Sequence, residues 1–237
     1  MQTTELDPTL SETLERAEKA GLMLVIGNKN YSSWSMRPWV AMTAFNIPFR
    51  EILVPLKRAD TASMIAHYSP AGRVPVLLAD ETVIWDSLAI CEYLAEQFRE
   101  KNMWPLDVVK RAQARSVCAE MHSGFTDLRQ AMPMNIHADF HGKGRTPGAQ
   151  GDIGRICEIW EDCMAESGPN DYLFGDFSIA DAFYAPVVMR FRTYGVSLAP
   201  ALQAYAGRVA AHPAVALWIA GALAEAETAP GHDTDPE

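Results

Sequence analysis

Two adjoining stretches constrain this chain most: Ser69-Pro-Ala-Gly-Arg-Val-Pro-Val-Leu-Leu78, then Val83-Ile-Trp-Asp-Ser-Leu-Ala-Ile90. Proline cannot donate to a strand ladder, so Pro75 belongs at the first residue of a strand or at a bulge. The residues after it read as a hairpin, Pro75–Leu78 and Thr82–Trp85 around Asp80-Glu81, which runs straight into a helix. If the Val74–Pro75 bond is cis, the Val74 backbone turns outward and offers its N–H and C=O to an extended peptide ligand. Ser87 opens the helix, whose free N–H groups favour an anion, while Asp86 offers a carboxylate to a cation. Together these groups suit a zwitterionic amino-acid head attached to a peptide backbone.

The elements around the hairpin define the fold class. Leu22-Met-Leu-Val-Ile26 is a continuous apolar run of strand length, as expected of a strand buried on both faces. A polar, aromatic loop follows, and Arg37–Phe45 then has helical spacing, with Ser35 as its cap, Pro38 in its first turn and Asn46 as its stop. Phe49–Leu56 reads as a strand, 61–67 as a short helix, and Ser87–Phe98 as an amphipathic helix. The order β-α-β-α-β-β-α predicts a thioredoxin-like α/β domain over residues 21–100. Beyond a linker at 101–105 the strand signals stop. Residues 106–132, 151–166, 178–194 and 201–223 read as helices, so an all-helical domain is expected over 106–225. A long loop is expected at His137–Gln150, a frayed extension over 1–20, and a disordered tail over 226–237.

Composition narrows the partners. A formal charge of −10 argues against nucleic acid or an anionic membrane as the main partner. The four cysteines (Cys91, Cys118, Cys157 and Cys163) form no CxxC pair and read as free thiols in helices, which suits a reducing compartment. The first twenty residues are too polar for a signal peptide, and no apolar run is long enough to span a bilayer, so a cytoplasmic protein is expected. His137 and His141 are four apart but lack a third ligand, so no metal site is expected.

A thioredoxin-like domain joined to an all-helical domain resembles the cytosolic glutathione transferase family across residues 21–225. Tyr31-Ser-Ser-Trp-Ser-Met-Arg37 is similar to the serine-bearing loop of its zeta, tau and phi groups. Gly72-Arg-Val-Pro75 is similar to its cis-proline loop, and Asp86-Ser-Leu-Ala-Ile90 to its acid-serine helix start. Phe177-Ser-Ile-Ala-Asp181 is similar to its helix-capping segment, where Ser178 and Asp181 also form the capping-box pattern. The wordings Asn30-Tyr-Ser-Ser-Trp-Ser and Met132-Pro-Met-Asn135 also resemble a group of bacterial members.

The resemblance implies glutathione as co-substrate, bound by Val74, Pro75, Asp86 and Ser87, with Arg73 near its glycyl carboxylate. It implies a homodimer, an apolar electrophilic small molecule as the second substrate, and no metal. Aligned on Arg37, the family's catalytic serine falls on Ser32, with Ser33 and Tyr31 as alternatives. A hydroxyl donated to the glutathione sulfur, helped by the positive end of the following helix, favours thiolate over thiol. The bland role for this serine cluster is helix capping. Trp34 replaces the cysteine of the zeta pattern Ser-Ser-Cys, which puts maleylacetoacetate isomerase activity in doubt. Another glutathione-dependent reaction on the same fold, such as ether cleavage, dehalogenation or peroxide reduction, and a non-catalytic binding module are the alternatives.

Overall fold

The computed structural model describes residues 21–165, 168 and 171–225. The expected extension over 1–20 and tail over 226–237 lie outside the described residues. Four strands, β1 (Leu22–Ile26), β2 (Arg50–Leu53), β3 (Val76–Ala79) and β4 (Thr82–Trp85), form one mixed sheet in the order β2-β1-β3-β4. β1 pairs parallel with β2 and antiparallel with β3, and β3 pairs antiparallel with β4 in the register Val76↔Trp85. Side chains alternate across a strand. Leu22, Leu24 and Ile26 therefore enter the main core beneath α1 (Ser33–Ala44) and α3 (Ser87–Gln97), whereas Val25 joins Val76 and Ile65 beneath α2 (Thr61–Tyr68). This is the thioredoxin-like arrangement expected from the element order.

The second half is helical: α4 (Val108–Ser123), α5 (Thr126–Ala131), α6 (Pro147–Met164), α7 (Ile179–Thr193), α8 (Pro200–Ala211) and α9 (Pro213–Ala224). α7 is the hub. Nearly all of its residues are buried, and it packs on both α1 and α4, so one core runs through sheet and helices. Its start is the expected capping box, with Asp181 as the buried node. One Asp181 oxygen accepts from Leu173 N–H and Tyr205 O–H, the other from Ser178 N–H and O–H, at 2.9–3.1 Å. Desolvation still dominates and raises the carboxyl to about 6.

Several expected boundaries shift, each for a local reason. The helix expected over Arg37–Phe45 starts at Ser33, because Ser32 and not Ser35 is the N-cap. Pro38 consequently sits inside the helix, leaving the Trp34 carbonyl without its usual i+4 donor. The stop holds: Asn46 (φ 52°) closes a Schellman turn, with Ile47 N–H on Met42 O and Asn46 N–H on Thr43 O. The helix expected over 106–132 breaks at Gly124, where Phe125 turns left-handed (φ 58°). That over 201–223 breaks at His212 with a 69° bend, because Pro213 has no N–H to continue it. The expected loop ends early, since Thr146-Pro147 caps and opens α6. No single helix among the described residues is long and apolar enough to cross a membrane.

Two outcomes at Asp181 test this frame. Asp181→Ala strands four buried donors and lowers unfolding free energy at pH 7 by about 2–4 kcal/mol, measured by denaturant titration. Because the folded-state pKa lies above the ordinary value, this residue's protonation-linked stability is complete below about pH 4. It is lost as pH rises through about 6. Asp181→Asn flattens that part of the stability–pH curve.

Candidate active site

Ser32 lies at the junction of β1 and α1, and the local backbone explains why. Tyr31 and Ser32 N–H both bond the Asn28 carbonyl, and Met36 N–H bonds Ser32 O, so the chain turns directly into the helix. Ser32 Oγ accepts from Ser35 N–H at 3.4 Å and lies 2.7 Å from Ser35 Oγ, which itself accepts from Gly27 N–H. In that pair Ser32 donates to Ser35. A hydrogen bond from Ser32 to a ligand atom therefore needs its hydroxyl to rotate away from Ser35, which as a hydroxyl can donate back in exchange. No acidic side chain occupies the first turn of α1, so its positive end is uncompensated.

Ser33 follows as the first helical residue, and its Oγ accepts from Arg190 Nη2 at 3.2 Å. Arg190 is buried on α7 and also donates to the Met132 carbonyl. Arg37, one turn along α1, is fully buried between Trp34 and Phe183 and reaches Ser87 Oγ at 3.5 Å. Burial, with lesser contributions from neighbouring arginines, lowers both Arg37 and Arg190 to about 9. Both therefore stay cationic at neutral pH.

The hairpin side carries the other expected residues. Gly72 (φ 62°) makes the turn that brings the chain to a cis Val74–Pro75 bond just before β3. Neither Val74 N–H nor its C=O is used in a hydrogen bond among the described residues. Arg73 is exposed, with its N–H on Ser69 Oγ.

Asp86 is the N-cap of α3 at φ 78°, and its Oδ1 accepts from Leu88 and Ala89 N–H. Its Oδ2 meets His122 Nε2 at 3.0 Å. Burial is the leading cause that lowers the His122 pKa. Ser87 is buried at the first turn of α3.

Residues 31–97 match the family described as Glutathione S-transferase, N-terminal domain, and residues 114–221 match its C-terminal domain. A probable maleylacetoacetate isomerase 2 of Drosophila melanogaster is 30% identical over 71% of this chain and 74% of its own length. This chain belongs to the glutathione S-transferase family. The glutathione S-transferase GstB of Escherichia coli is 25% identical over 81% of this chain and 96% of its own. A Burkholderia glutathione transferase homologue solved with bound glutathione superposes with a TM-score of 0.67 at 25% identity, covering 85% of this chain and 98% of that one.

Within this glutathione S-transferase fold, the loop before Ser32 is fastened by contacts to which the sequence patterns assigned no role. Asn30 Oδ1 accepts from Ile136 and His137 N–H at 2.6 and 3.0 Å, and its Nδ2 donates to Asn135 Oδ1. The Glu225 carboxylate accepts from Lys29 and Asn30 N–H, and Trp218 Nε1 donates to Lys29 O. All these partners lie more than 100 positions away in sequence, so spacing gave no signal for them. Arg129 on α5 packs its guanidinium over the Trp34 ring. His122, which no sequence pattern singled out, proves to be the partner of Asp86. Among the described residues no group of three or more His, Cys, Asp or Glu is placed to hold a metal ion.

Asn30→Ala leaves the Ile136 and His137 amides without an acceptor. The expected cost is about 2–3 kcal/mol of unfolding free energy, together with faster hydrogen exchange over residues 27–32. Unchanged exchange there would show that the clamp does not hold the loop.

Proposed function

We propose that this chain is a glutathione-dependent enzyme that generates the glutathione thiolate at Ser32 and directs it at an electrophilic carbon of a small acceptor. The observation that carries this is Ser32 at the uncompensated positive end of α1, with buried Arg190 held against the adjacent Ser33. A free thiol with a pKa near about 8.5 is only a few per cent ionised at pH 7, and lowering it by about two units makes thiolate the majority form. That shift corresponds to about 2.7 kcal/mol, within reach of one donated hydroxyl, a helix terminus and a nearby buried cation acting together.

In this reading glutathione lies as an extended strand along the unused Val74 backbone. Its γ-glutamyl carboxylate faces the start of α3 at Ser87, its ammonium shares Asp86 with His122, and Arg73 lies toward the glycyl end. The thiolate forms a C–S bond to the acceptor carbon, and the leaving group departs with its electron pair. Positioning and charge stabilisation suffice, with no covalent protein intermediate. A cytoplasmic setting, with its glutathione pool, belongs to the same reading.

Ser32→Ala is expected to lower turnover with an aryl halide ten-fold or more, about 1.4 kcal/mol per decade, while calorimetric glutathione affinity is retained. Near-normal turnover would move the role to Ser33 or Tyr31. Asp86→Ala mainly raises the glutathione Michaelis constant, and an unchanged constant would sink that contact.

A homodimer is part of the proposal. Val83 and Trp85 on edge strand β4, and Leu106, Val108 and Val109 at the start of α4, are exposed apolar side chains that association can cover. Trp85→Glu is expected to shift sedimentation toward the monomer.

A further inference from the structure

Of the seven buried side-chain nitrogens without a hydrogen-bond partner among the described residues, one belongs to a histidine, His122 Nδ1. His122 sits in the last turn of α4, and its other nitrogen, Nε2, lies 3.0 Å from Asp86 Oδ2 across the boundary between the two halves of the chain. A carboxylate oxygen only accepts, so Nε2 carries the proton of that bond. The Asp86 carboxylate is thereby fixed at both oxygens: Oδ1 by the Leu88 and Ala89 N–H groups at 2.8 and 3.2 Å, Oδ2 by His122. Its side chain keeps 39% of its surface exposed, so a ligand cation can still reach it.

The charge on His122 decides what Asp86 can offer. A neutral imidazole donates one hydrogen bond and leaves the carboxylate's full negative charge to attract an ammonium. An imidazolium cancels that charge and repels the ammonium directly. The surroundings favour the neutral form. A second proton would fall on Nδ1, which is buried with no acceptor. The charged groups facing the ring are Asp86 from α3, Arg37 from α1 and Arg129 from α5. Both guanidiniums lie over the Trp34 ring that His122 meets edge-on at 5.1 Å. α7, which also packs on α4, directs its Tyr184 hydroxyl at the Val117 carbonyl instead. Burial is the largest effect and lowers the His122 pKa, Asp86 opposes it, and the two arginines reinforce it. Asp86 and the negative end of α4 keep the second proton within reach of mild acid.

We propose that His122 is a positioning residue of the glutathione site: neutral, it holds Asp86 toward the ligand's ammonium, and protonated, it weakens binding. This rests on the glutathione reading above and goes beyond it by naming how that site responds to acid. By reciprocity, a bound ammonium makes His122 harder to protonate, so binding in mild acid expels its second proton.

The probe is S-methylglutathione, which keeps the γ-glutamyl head and has no thiol to ionise. It is titrated calorimetrically between about pH 7.5 and about pH 5 at constant ionic strength, a range that spans the change in histidine charge. Its dissociation constant is expected to rise about five-fold or more toward the acid end in the wild type. It is expected to stay level in His122→Gln, whose amide donates to Asp86 without titrating. At the upper end of the range His122→Ala is expected to bind about five-fold more weakly than the wild type, and His122→Gln to restore most of that loss.

A wild-type constant that stays level overturns the proposal, and so does a folded His122→Gln variant that weakens in acid as the wild type does. A His122→Ala variant that binds like the wild type at the upper end overturns it too. Should neither variant fold, the wild type decides alone. Binding at about pH 5.5, measured in two buffers of different ionisation enthalpy, is then expected to release a proton, and binding without release overturns the proposal. Binding that ignores pH sinks only this proposal. Failure of both S-methylglutathione and glutathione to bind at any pH sinks the reading beneath it as well.

Discussion

Asn30 commits both ends of its side-chain amide to the segment Asn135–His137, more than a hundred residues further on. The irregular turn that carries Ser32 depends on this link, because its own backbone bonds reach back no further than Asn28. Loops positioned by rigid scaffolds are where chemistry is commonly placed. Here the scaffold is two-sided. β1 and α1 hold the turn from within, while Asn30, Glu225 and Trp218 tie it to the helical half.

The second constraint is charge. Arg37 and Arg190 are buried without a carboxylate partner among the described residues, and their cost is offset only partly by carbonyl and hydroxyl acceptors and by the faces of Trp34 and Phe183. Such an arrangement is poor as a device for stability alone. It makes electrostatic sense in a cleft whose ligands bring negative charge, which fits a sulfur that must lose its proton. Ser33 is tethered to the carbonyl-bound Arg190, whereas the Ser32 hydroxyl is tied only to another hydroxyl, Ser35, with which it can exchange donor and acceptor roles.

Much of this was legible from residues near one another in the chain. The apolar run at Leu22–Ile26, the hairpin around Asp80-Glu81 and the Ser178–Asp181 box all rest on local rules of alternation, turn formation and capping, and all appear where expected. The failures were local too. Thr146-Pro147 and His212-Pro213 carried start signals that an apolar period obscured, and the serine cluster offered two caps of which only Ser32 is used. What stayed illegible joins distant segments: Arg190 to Ser33, His122 to Asp86, Asn30 to Asn135. Periodicity reports which face of an element is buried and says nothing about which polar group it will meet there.

The cysteines carry a consequence of their own. Cys91, Cys118 and Cys163 are buried and Cys157 half-buried, and desolvation raises the pKa of every one. Only ionised sulfur attacks electrophiles or exchanges with disulfides at useful rates. A catalyst that turns a tripeptide's sulfur into a strong nucleophile while keeping its own protonated is spared alkylation by the very compounds it consumes.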